Sequence, residues 1–139
     1  MATVTKWKVS APQHINTKDG IGRCVVDFGE TSASSGDVIQ LFEVDADYFG
    51  KEVRWYTLTG EGGTCTGTIG DGTAADGYDA SADIETAANN GTTLEATDSV
   101  AGGRFYASAD TVIFTLSNDA STAKVVFYLV GHSTGQDLA

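Results

Sequence analysis

The chain has 139 residues, 41% of them hydrophobic, which fits one folded domain with a real core and excludes a disordered polymer. Nineteen acidic residues against eight basic ones give a net charge of −11, which excludes nucleic-acid binding by the surface as a whole, because phosphate backbones are repelled. Seventeen glycines and a single proline, Pro12, favour short strands and tight turns over long helices.

The first predicted strand is "ATVTKWKV", where Thr3, Thr5, Trp7 and Val9 alternate with Val4, Lys6 and Lys8. "SAPQHINTKDG" breaks it, with Pro12 and the Asp19–Gly20 turn signal. "IGRCVVDF" reads as a second strand, "GETSASSG" as a loop and "DVIQLFEV" as a third strand. Both faces of that third strand are apolar, which places it centrally in a sheet. "DADYFG" turns into a fourth strand, "KEVRWYTL", and "GEGG" into a fifth, "TCTGTIG". The loop "GDGTAADGYDASAD" follows. Residues 84–102 carry little pattern: "IETAANN" suits one helical turn that "NNG" ends, and "GGRFYA" suits a short strand. "DTVIFTLS" and "AKVVFYLV" close the chain, joined by "NDAST", a hairpin-length connection.

These segments predict an all-β chain, an antiparallel β-sandwich of jelly-roll type with seven to nine strands. One domain spans residues 1–139, with a docking arm over 1–20 and a frayed tail over 132–139. Charge marks the arm: residues 1–23 carry +3 and the remainder −14. Trp7 between Lys6 and Lys8 suits an anchor that docks on a partner, and equally suits a first core strand. No run approaches the roughly 18 apolar residues of a membrane span, and "MATVTKWKVS" carries no apolar signal stretch, so folding in a cytoplasm is expected. Cys24 and Cys65 form no metal spacing; they read as small core thiols, with a disulfide between them left open.

The acidic loop is the first candidate for chemistry. Calcium coordination needs converging oxygens at alternate positions, but after Asp71 these are Thr73 and Ala75, and Ala75 offers no side-chain ligand. Turns fit better, with Asp71 and Asp76 bonding their own backbone and the adjoining glycines in left-handed conformation. Asp71 and Asp76 remain the pair to test for carboxylate catalysis, yet nineteen acids supply many such pairs and give the pair little weight. His14 and His132 lie beside no nucleophile elbow, and "GDGTAADG" lacks the lysine of a phosphate loop. Among Trp7, Tyr48, Phe49, Trp55 and Tyr56, a sugar-stacking platform competes with a sandwich core in which one of Trp55 and Tyr56 faces inward.

The order of "SSGDVIQLFEVDADYFGKEVRWYTLTGE", "GTCTGTIGDGTAADGYDASADI" and "ASADTVIFTLSNDASTAKVVFYLVG" resembles the head decoration, or cement, proteins of tailed double-stranded DNA bacteriophages. The likeness spans residues 35–131 and rests on pattern and short words. It implies a non-enzymatic virion protein, made in the bacterial host cytoplasm, that sits on the capsid exterior and cements neighbouring major-capsid subunits as a dimer or trimer. It implies no cofactor, metal, nucleic acid or membrane, and supplies no motif-defined site residues. The contact candidates are therefore Lys6, Trp7 and Lys8, chosen for charge and position. The alternative is a carbohydrate-binding or host-attachment domain on the virion surface.

Overall fold

The computed structural model describes residues 3–4, 13–15, 22–92 and 104–133. Those residues form eleven strands and no helix: β1 (Thr3–Val4), β2 (Gln13–Ile15), β3 (Gly22–Asp27), β4 (Val38–Val44), β5 (Tyr48–Thr59), β6 (Thr66–Gly70), β7 (Asp79–Asp83), β8 (Asn90–Thr92), β9 (Arg104–Tyr106), β10 (Asp110–Leu116) and β11 (Lys124–Ser133). Setting aside the short β1 and β2, nine strands remain, the upper end of the expected range.

The first sheet runs β1-β4-β10-β6-β7, with β2 also on β4; the second runs β3-β11-β5-β8, with β9 also on β5. Pairing is antiparallel except where β1 and β2 lie parallel to successive stretches of β4. From β3 onward the chain crosses between sheets at six of eight steps, so nearly every connection helps close the sandwich. The last connection is one of these. β10 and β11 therefore do not form the hairpin that their spacing predicts. Ala120 and Ala123 in the connection are buried, and Ala120 bridges Ala33, which turns the chain over the sandwich edge.

Alternation selects the core. In β11, Val125, Phe127 and Leu129 face inward opposite Thr57, Trp55 and Val53 of β5. Phe127 meets Phe114 of β10 across the sandwich, ring centroids 5.2 Å apart and tilted by 49°, a geometry that aromatic quadrupoles favour. In β4 the register shifts at Leu41: Phe42 pairs Val112, and Gln40 pairs the next residue, Ile113. One extra residue reverses the inward parity, so Ile39 and Leu41 before it and Phe42 and Val44 after it are all buried. This explains a strand that looks apolar on both faces. β4 is indeed internal, between β10 and the parallel pair. A second shift, at Lys51, does the same in β5, whose core set passes from Tyr48 and Gly50 to Val53 and Trp55.

Other expectations need correction. Gln13–Ile15, within the predicted break, is strand β2, held by backbone pairing to β4. β5 begins at Tyr48 inside the predicted turn, because β9 pairs with Tyr48–Gly50. No helical turn forms near residue 86: Asn90–Thr92, the predicted stop, pairs with Arg54–Tyr56 as β8. The second half of the acidic loop is β7. Of the expected tail, His132 and Ser133 continue β11 against Phe49 and Tyr48, and residues 134–139 lie outside those described.

Candidate functional site

The acidic stretch is a hairpin, with β6 and β7 joined by residues 71–78. Asp71 is buried at its start. Its Oδ1 accepts the backbone N–H of Thr73 at 2.9 Å and of Ala74 at 3.0 Å, the self-bonding turn expected of aspartate. Its Oδ2 accepts the Tyr106 hydroxyl at 3.0 Å and pairs with Arg104 Nε. Because Tyr106 gives its proton to Asp71, Tyr78 donates to Tyr106, their oxygens 2.8 Å apart. A relay therefore runs Tyr78 to Tyr106 to Asp71, closed by the Arg104 cation. Burial pushes the Tyr106 hydroxyl far above the ordinary phenol range, and the neighbouring Tyr78 and Asp71 push it the same way. Tyr78 is raised by burial too. Both phenols stay protonated and act as donors.

Two glycines make room. A side chain at Gly50 would strike the Tyr78 hydroxyl, and one at Gly70 would strike the Ala74–Ala75 backbone. Neither Gly72 nor Gly77 takes the left-handed conformation expected of it; among described glycines that belongs to Gly36 and Gly62.

The network links the first sheet's hairpin to β9 of the second. It is chemically closed: three hydrogen bonds and the Arg104 ion pair surround the Asp71 carboxylate, which leaves it no face for a metal or substrate. Asp76 is exposed and apart from it, while Asp79 and Asp83 accept the backbone N–H groups of Ser81 and Glu85, each at 2.9 Å. Among the described residues no three His, Cys, Asp or Glu converge as a metal site. Arg104 also lines an open, polar cleft of about 480 Å³ with Thr73, Phe105 and Asp110. The Asp110 carboxylate accepts from Gly72 N and Thr111 N. Cys24 and Cys65 are buried in the core and form no disulfide, and burial lifts the Cys65 thiol to about 11, so it is not a nucleophile at neutral pH.

The outer surface of the second sheet is different. Every large exposed apolar side chain among the described residues lies in its strands: Tyr56, Leu58, Phe105 and Tyr128. So does every described basic residue: Arg23, Lys51, Arg54, Arg104 and Lys124, against Asp27 and Glu52. The strands of the first sheet hold Glu43, Asp79, Asp83 and Asp110 and no basic residue among those described. Trp55 faces the core and Tyr56 faces out, the division expected. Lys6, Trp7 and Lys8 lie outside the described residues. The pattern at Arg54, Tyr56 and Tyr128 was missed in the sequence because cross-strand register, not spacing, assembles it.

No protein-family model and no curated protein matches the chain. Among solved structures, a chain of the capsid of Ralstonia phage GP4 matches it with a TM-score of 0.64 at 12% identity. The match covers 98% of this chain and 99% of that one, so the two share a fold from end to end.

Proposed function

We propose that this chain is a non-enzymatic virion protein that binds the outside of a phage capsid and cements neighbouring major-capsid subunits. The end-to-end fold likeness to a phage capsid chain carries the reading. The internally saturated acidic hairpin supports it, since the most conspicuous chemical motif of the sequence is used to join the sheets. A net charge of −11 keeps such a protein soluble before assembly and off the packaged genome. Each contact with the shell needs only ordinary size, roughly 1,600 Å² in total. Bridging two capsomers makes the second contact intramolecular, so modest affinities combine into durable attachment, as would a dimer or trimer of the chain. The basic arm, with Trp7 between Lys6 and Lys8, supplies one contact to an acidic shell surface.

Co-sedimentation with expanded shells lacking this protein, followed by a heat challenge, tests the reading. Saturable binding that raises the disruption temperature is expected, and Lys6→Glu with Lys8→Glu should lower occupancy severalfold. Absence of binding together with glycan-dependent binding on a sugar array would replace it with the host-attachment reading.

A further inference from the structure

The outer face of the second sheet is built by register. Tyr128 of β11 lies opposite Arg23 of β3 on one side and Arg54 of β5 on the other. One step along, Val126 lies between Val25 and Tyr56. Val25 and Val126 are buried but belong to this outer face, apart from the inter-sheet core, so the face has apolar ground of its own. Arg54 is held in place: its Nε donates to Glu52 Oε2 at 3.1 Å, while the side chain as a whole stays 57% exposed. A fixed guanidinium at the surface is ready for a carboxylate, which it meets with two parallel hydrogen bonds.

A depression of about 190 Å³ opens here, lined by Arg54, Trp55, Tyr56, Asn90, Gly91 and Tyr128. Trp55 turns its indole to the core, against the bare backbone of its pair Gly91, so the outward side chains here are those of Arg54, Tyr56 and Tyr128. Free ligands of ordinary size occupy roughly 300–1,000 Å³. A depression this small suits one inserted side chain. Arg54, Tyr56 and Tyr128 turn their side chains to it, and arginine and tyrosine are among the residue types that dominate binding energy at protein interfaces.

We infer that this face is a second docking surface, and that its occupant is a shell subunit presenting an aspartate or glutamate on apolar ground. The inference rests on the capsid reading above. Charge complementarity selects the occupant: basic residues gather on this sheet of a chain whose net charge is −11. A second copy brings that same overall charge and is repelled at long range. The partner carboxylate pairs with Arg54 beside Tyr128, while apolar ground covers Tyr56 and Leu58.

The test measures binding to shells lacking this protein, at two salt concentrations, for wild type, Arg54→Glu, Tyr128→Ser and the first-sheet control Ser81→Lys. All three substituted positions are solvent-facing, and circular-dichroism melts check that the variants fold. Arg54→Glu and Tyr128→Ser should each weaken binding at least about tenfold, Arg54→Glu should flatten the salt dependence, and Ser81→Lys should bind as wild type. Wild-type binding with both face variants unaffected overturns this surface and leaves the cement reading standing. No binding by wild type overturns both. An oligomer that forms without shells in sedimentation velocity, and that the same two variants disperse, overturns the shell occupant and puts a second copy there.

Discussion

Two carboxylates at opposite ends of β6 hold the sandwich together in different ways. Glu61, in the connection before β6, reaches the β10–β11 connection and accepts the backbone N–H groups of Ser121, Thr122 and Ala123 at 2.9–3.1 Å. Asp71, just after β6, is enclosed by Arg104, Tyr106 and its own turn. Glu61 works in water, where losing a partner is partly made good by solvent. Asp71 works out of water, where any partner left behind stays uncompensated. The difference teaches that the weight of an acid in this fold follows its surroundings, since both accept two or more backbone hydrogen bonds.

The comparison breaks most visibly at Asp71. Asp71→Asn removes the charge while Arg104 and two phenols remain, and should cost about 3–5 kcal/mol, lowering the unfolding temperature by roughly 10 °C or more. A calorimetric loss below about 1 kcal/mol would mean that water reaches the network. Tyr78→Phe removes only the outer donor of the relay and leaves Asp71 its other partners. It should cost about 1 kcal/mol, read in urea titrations by a lower midpoint at unchanged slope.

Glu61→Gln should have the smallest effect, about 1 kcal/mol or less at neutral pH. It sharpens the comparison through pH. Burial alone would raise the Glu61 carboxyl, but the backbone bonds from Ala123, Ser121 and Thr122 and the Ser121 hydroxyl outweigh it and hold it below the usual glutamate range. The folded state therefore binds its proton more weakly than the unfolded chain. Its contribution is present above the unfolded pKa and lost as pH falls through the folded one. Stability of wild type minus that of Glu61→Gln should shrink on acidification below about pH 4.5. A difference independent of pH would remove the charge from the explanation.

Strands and local turns were legible wherever the cause is local. "DTVIFTLS" and "AKVVFYLV" declare β10 and β11 by alternation, and Asp71, Asp79 and Asp83 bond backbone two residues onward, as short acidic side chains do in turns. The partners of Asp71 were not legible. Tyr106 lies 35 residues away, in a strand of three residues just beyond the stretch of weakest pattern, and no local signal joins the two. The docking face was hidden for a related reason. Arg23, Arg54 and Tyr128 carry no common spacing, and only the pairing of β3, β11 and β5 sets them side by side.

The sequence by itself determined an all-β chain with acidic turns, because alternation, glycine content and aspartate self-bonding act over a few residues. Tertiary structure decided the rest. It chose the sheet for each strand, sending β10 and β11 to opposite sides of the core despite their hairpin-length link. One-residue register shifts in β4 and β5 turned apolar residues of both parities inward. Pairing geometry then gathered one acid into a dry network and the basic and aromatic residues onto one outer face. Each of these outcomes depends on which strands meet, and burial of the shared core, a property of the whole chain, settles that.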